Sequence, residues 1–213
     1  QEPDTTEDQD DDTDDGGGEG GQSMDGSAED EGAEASDADA ADGWIITGSR
    51  HGVYEPHDWI PPLEDLIRAI HAKKQPLAGI CFGHQIIAQA LGGKVAKFEG
   101  GWAVGHVTYQ QDGQPITLNA WHQDQVIERP AEARVLAGND FCENGILAYG
   151  DHIWTLQPHP EFNNEFTGGL IDKRGRGVVP DHILDQASQQ LDTPVDSPAI
   201  ATFLAEFMKK ERT

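Results

Sequence analysis

The chain has 213 residues, of which 36% are hydrophobic, with 39 acidic and 14 basic side chains and a net charge of −25. That length suffices for one α/β domain with a sizeable core. The absence of a basic face argues against a nucleic-acid partner, and no apolar run approaches the roughly 18 residues that a membrane span needs.

Residues 1–42 hold 18 of the acidic side chains and no Lys or Arg, so 43–213 carry only −7. Met24 is the only large apolar side chain in that opening stretch. It has too little apolar surface to offset the entropy of ordering. The expected organisation is a disordered acidic, glycine-rich segment over 1–42 and a folded domain over 43–213. The N-terminus has no basic-then-apolar leader pattern. Two cysteines, Cys81 and Cys142, do not make a secreted disulfide scaffold, so the expected compartment is the cytoplasm.

From Gly43 onward strands and helices alternate. Trp44-Ile45-Ile46 reads as a buried strand. Pro61 and Pro62 open a helix with apolar positions Leu63, Leu66, Ile67 and Ile70. Leu77–Ile80 is a strand that ends at Cys81. Phe82–Leu91 has helical spacing and is closed by Gly92-Gly93. Short strands follow near Lys94–Phe98, Trp102–Gln110, Pro115–Asn119, Arg134–Ala137, Gly145–Gly150 and Ile153–Leu156. Helices are expected near Phe162–Ile171, Asp181–Gln190 and Ser197–Lys210. Lys173-Arg174-Gly175-Arg176, the one basic cluster, reads as a solvated loop. The pattern predicts an α/β fold, a mostly parallel sheet with helices on both faces and additional antiparallel strands.

Two segments carry chemistry. In Gly79-Ile80-Cys81-Phe82-Gly83-His84-Gln85 a strand turns sharply into a helix at a cysteine, a nucleophile elbow with sulfur as the nucleophile. Helix N-terminal N–H groups and the positive dipole end favour a thiolate there. A buried structural cysteine is the alternative at this point, and it is the reading adopted for Cys142. The second segment, Trp154-Thr155-Leu156-Gln157-Pro158-His159-Pro160-Glu161, ends a strand in a histidine and a carboxylate, a base and an orienting group for a cysteine. His84 is expected to pack within the elbow helix or bond to backbone. His51, His57, His71, His106, His152 and His182 show no metal-ligand spacing in sequence, and no metal site is expected.

Together these segments resemble the class I, or triad-type, glutamine amidotransferases, with a Gly-x-Cys-x-Gly-x-Gln elbow followed by His-Pro-Glu. The likeness spans about Gly43 to Phe166 and is closest to stand-alone members similar to the glutaminase domain of GMP synthase. It implies that Cys81, His159 and Glu161 are catalytic and that no cofactor is needed. Gly48-Ser49-Arg50 stands at the family's Gly-Gly-Pro loop. By resemblance, Gly48, Ser49 and the N–H of Phe82 supply the oxyanion hole. Gln85, His122 and Asp124 match positions that hold the glutamine, the latter two in a segment, Trp121–Val126, like the family's Ser-His-x-Asp loop. The resemblance also implies a strand–helix–strand unit before Gly43, which the composition of 1–42 is unfit to form. The implied activity is hydrolysis of the glutamine side-chain amide through a γ-glutamyl thioester, with ammonia released to a separate synthetase. A γ-glutamyl peptidase with the same triad, and an inactive binding module of the same fold, are the alternatives.

Overall fold

The structure is a computed structural model and describes residues 38–209. The acidic segment predicted over 1–42 therefore lies almost wholly outside the described residues. Its last residues form a short 3-10 turn, Ala38–Ala40, with Ala38 buried. Among the described residues nine strands follow: β1 (Trp44–Ile46), β2 (Leu77–Ile80), β3 (Lys94–Lys97), β4 (Ala103–Gln111), β5 (Gln114–His122), β6 (Asp124–Glu128), β7 (Ala133–Ala137), β8 (Ile146–Tyr149) and β9 (Ile153–Leu156). The helices are α1 (Ile60–Ala72), α2 (Phe82–Ala90), α3 (Asn164–Leu170), α4 (Asp181–Ser188) and α5 (Ser197–Lys209).

The central sheet has five strands in the order β1-β2-β9-β8-β7. β1, β2 and β9 pair in parallel, while β8 is antiparallel to both of its neighbours. β8 is therefore the one reversed strand, and the other strands of this sheet share a direction. All residues of β2, β8 and β9 are buried, as expected for strands covered on both faces.

Alternation along the strands divides the core. Leu77, Leu147, Tyr149 and Ile153 pack with α1 and α2 residues such as Ile67, Ile70, Ile86 and Ile87. Ile80, Ala148, Trp154 and Leu156 face the other way, against Ile200 and Leu204 of α5 and Tyr109 and Leu118 of the β4–β5 pair. The period-2 geometry of strands is what sends neighbours to opposite cores.

Two smaller sheets flank this frame, β3 with β6 and β4 with β5. A smaller core, Val104, Ile171, Val179, Leu184 and Ala187, seats α4 against β4. The segment expected as a Ser-His-x-Asp-like loop is instead the junction of two strands. Trp121 and His122 end β5, Asp124 opens β6, and Gln123 alone lies between them. The two strands bond to different partners, so the chain must break register there. The basic cluster near 173 is also more ordered than a loop, because Ile171–Gly175 continues α3 as a π-helical turn. Arg176 pairs with Asp181 and Asp185.

Candidate active site

β2, an interior strand, delivers Cys81 just past its carboxyl end, and the helix that starts at Phe82 turns the chain back over it. Cys81 has φ 51° and ψ −101°, a region that a non-glycine residue occupies at a cost of about 1–3 kcal/mol. The turn is held by backbone bonds from Cys81 N–H to the Leu156 carbonyl and from Gln85 N–H to the Cys81 carbonyl. Gly83 is what lets α2 lie so close to β1, since a Cβ there would sit 2.0 Å from the Ile46 carbonyl oxygen. Phe82 buries its ring beside Trp59. Its N–H, first in the helix, has no carbonyl one turn earlier to bond.

His159 arrives from the end of β9. Its ring Nδ1 lies 2.7 Å from Glu161 Oε1, and the imidazole and Cys81 both border Gly48. Burial alone would lower the His159 pKa, but the sulfur and the Glu161 carboxylate outweigh it and raise the value to about 9. The ring of Phe162 stacks on the imidazole at 4.0 Å, a face that favours the cationic form. Asn119, fully buried on β5, fixes this segment. Its carbonyl accepts from His159 N–H and its side chain donates to the Phe162 carbonyl. On the opposite side, a Cβ on Gly48 would lie 2.8 Å from His159 Cε1 and 3.7 Å from Cys81 Cβ. The absence of a side chain at Gly48 lets that loop close over the pair.

A cleft of about 310 Å³ opens above Cys81, bordered by Ser49, Gln85, His122 and Asp124 together with Tyr54 and Trp121. His122 Nδ1 donates to the Asp124 carbonyl at 3.2 Å. Because a carbonyl can only accept, the proton sits on Nδ1, and Nε2 is the bare nitrogen. Burial, and then repulsion from His159, push the His122 pKa down to about 3. Gln85 Nε2 donates to the same Asp124 carbonyl and to Gln157 Oε1. Ser49 Oγ is occupied locally by the His51 N–H. His84 points away from the cleft, fully buried, and bonds Thr155 Oγ1 on β9.

The glutamine amidotransferase class-I family model matches residues 25–171. Gamma-glutamyl peptidase 2 of Arabidopsis thaliana is 31% identical over 191 residues, covering 83% of this chain and 77% of the relative. This chain belongs to the class-I glutamine amidotransferase family. A glutamine-hydrolysing GMP synthase component from Methanococcus vannielii is 37% identical over 111 residues, 47% of this chain and 58% of that one. Among solved structures, a glutamine amidotransferase from Methylobacillus flagellatus superimposes with a TM-score of 0.66 at 19% identity, covering 81% of this chain and 76% of that one.

The other eight residues singled out in sequence, Gly48, Ser49, Phe82, Gln85, His122, Asp124, His159 and Glu161, all lie near Cys81. Sequence reasoning missed Tyr54, whose hydroxyl donates to Asp124 Oδ2 at 2.9 Å, and Asn119, which steadies His159. A lone Tyr or Asn has no spacing signal, and both meet their partners only through the fold. It also missed a cluster of His51, Glu55 and His57 at the cleft rim. These histidines lack the spacing of metal ligands on a helix or strand, but the loop over 51–57 folds back and brings them together. Cys142 is buried and unpaired, its thiol pushed up to about 12 by burial. No helix among the described residues is long and apolar enough to cross a membrane.

Proposed function

We propose that this protein hydrolyses γ-glutamyl amide bonds through Cys81, His159 and Glu161, with γ-glutamyl peptides as its substrate class. The observation that carries this reading is the cysteine at a positive-φ elbow, bordering the same Gly48 as a histidine whose Nδ1 is 2.7 Å from a carboxylate. Cys81 Sγ attacks the γ-carbonyl carbon after its proton passes to His159. The tetrahedral intermediate collapses, the C–N bond breaks, and His159 gives that proton to the leaving amine. The γ-glutamyl thioester is then attacked by water, which His159 deprotonates. The C–S bond breaks, glutamate leaves, and the proton returns to sulfur. Glu161 keeps the imidazole in register and stabilises its charge.

The oxyanion faces the N–H of Phe82 and a donor from the Gly48–Ser49 turn, and losing one such donor costs about a hundredfold or more in rate. Asp124 meets the substrate ammonium, steadied by Tyr54 at its carboxylate and by Gln85 and His122 at its carbonyl. The peptide preference draws support from two sides. The match to the γ-glutamyl peptidase spans 83% of the chain, against 47% for the GMP synthase relative. A γ-glutamyl dipeptide also carries a second carboxylate, and Arg50 and Lys97 on the cleft wall supply cations for it. Trp102 and Trp121 offer apolar surface to the residue beyond the scissile bond.

The test compares glutamate release from a γ-glutamyl dipeptide and from free glutamine, with Cys81→Ala as control. The dipeptide should win by about tenfold or more in kcat/KM, the discrimination expected when a second group is bound. A preference for free glutamine, with ammonia produced, would instead favour a glutaminase that hands ammonia to a separate synthetase, the reading to which the GMP synthase likeness lends weight. No turnover of either, and no labelling of Cys81 by a glutamine-mimicking diazo-ketone, would leave a binding module.

A further inference from the structure

The loop that leaves the Gly48–Ser49 turn brings three ligand-type side chains to one point. His51 Nδ1 is 3.1 Å and His57 Nε2 is 2.8 Å from the same oxygen, Glu55 Oε2. The two ring nitrogens are 3.0 Å apart. Each neutral ring nitrogen either donates or accepts. Two N–H groups aimed at one oxygen would crowd each other, a single N–H would leave the other nitrogen's lone pair facing the carboxylate oxygen, and no hydrogens at all would set three lone pairs face to face. A single cation at the centre satisfies all three atoms together.

The dimensions suit that cation. In a tetrahedral zinc site, bonds of about 2.0–2.1 Å place ligand atoms about 3.3 Å apart. The observed separations need to open by only a few tenths of an ångström. His51, Glu55 and His57 all lie between β1 and α1, outside regular structure, so no element has to move. The ligands are also held from behind. Gly52 N–H donates to Glu55 Oε1 at 2.8 Å, and the His57 ring stacks on Trp59 at 5.3 Å. The Gly52 bond first, then His57 and His51, hold the Glu55 carboxyl down to about 2, ionised at every working pH. The side chains are 30–39% exposed, so an ion can enter from solvent. One contact opposes it. Arg50 Nε donates to His51 Nε2 at 3.3 Å, and metal on Nδ1 moves the ring proton to Nε2. Arg50 must then let go, which an exposed side chain with a long hydrogen bond can do.

We propose that His51 Nδ1, Glu55 Oε2 and His57 Nε2 bind a divalent transition-metal ion of the zinc class at the rim of the catalytic cleft. Two imidazoles and one carboxylate select such ions over magnesium or calcium, which prefer all-oxygen sites.

The experiment uses the full chain carrying Cys81→Ala, so that the Cys81–His159 pair does not compete for metal. After dialysis against a chelator, zinc and then magnesium are titrated by calorimetry, and thermal unfolding is followed with and without zinc. Zinc should saturate at one equivalent and raise Tm, and magnesium at the same concentration should do neither. His57→Ala and Glu55→Gln, each added to Cys81→Ala, should weaken zinc binding about tenfold or more. The two remove different ligand types, so one suffices if the other misfolds. Absence of saturable zinc binding overturns the proposal. So does binding that survives both substitutions, which would assign the ion to other side chains such as the carboxylates of 1–42.

Discussion

Acidification should destabilise this protein through histidines that cannot accept protons while folded. His84 and His122 are fully buried, and both have pKa values pushed down from 6.5 to about 3, burial being the largest cause in each. Between those two values the unfolded chain binds protons that the folded chain refuses, so stability falls as pH falls through 6.5. At about pH 5 each group costs roughly 2 kcal/mol relative to neutral pH, and the pair about 4 kcal/mol. His159 works the other way. Its pKa of about 9 gives a stabilisation that is complete below 6.5 and fades as pH rises through 9. Going from about pH 7.5 to 5, it returns only about 1 kcal/mol, so the buried pair wins by about 3 kcal/mol. Against a total stability of about 5–15 kcal/mol, that is large. It should lower the urea midpoint by about 1–2 M. His84→Asn keeps a hydrogen-bonding group for Thr155 but cannot titrate, and should remove about 2 kcal/mol of the pH-dependent loss whatever it does to stability at neutral pH. Urea unfolding of both proteins at the two pH values measures this. Equal losses in wild type and His84→Asn would refute the reasoning, as would an NMR titration in which the His84 ring protonates near 6.5 in the folded state.

Other substitutions test the site. Glu161→Gln should lower kcat/KM roughly a hundredfold and move the alkaline limb of the pH–rate profile, expected near 9, to lower pH, because the imidazolium that protonates the leaving amine loses a stabilising charge. A limb that stays in place would remove Glu161 from that role. Gly83→Ala drives a Cβ into the Ile46 carbonyl. It should cost about 1–3 kcal/mol in unfolding experiments and slow diazo-ketone labelling of Cys81 by shifting α2. Tyr54→Phe removes one hydrogen bond from Asp124 and should raise KM by about threefold to tenfold with kcat little changed, as steady-state kinetics on the dipeptide would reveal.

Much of the fold was legible along the chain because its signals are local. The apolar runs at Trp44–Ile46, Leu77–Ile80 and Ile153–Leu156, the Pro61-Pro62 helix start and the Gly92-Gly93 stop each report on a few adjacent residues. β6 was not legible. Asp124–Glu128 mixes polar and apolar residues, and it becomes a strand by pairing with Lys94–Lys97 some thirty residues earlier.

The order of the Cys81 elbow and the later His159-Pro160-Glu161 was enough in sequence to nominate a nucleophile, a base and an orienting acid, since those residue types and short spacings carry their chemistry wherever they fold. Tertiary structure decided what surrounds them. Only the parallel pairing of β2 with β9 brings His159 to Cys81. Only the close pass of α2 over β1 explains why position 83 must be glycine. Only the return of the 51–57 loop gathers His51, Glu55 and His57. Contacts between residues far apart in sequence, or joined by an irregular loop, leave no periodicity to read, and the fold alone sets their distances.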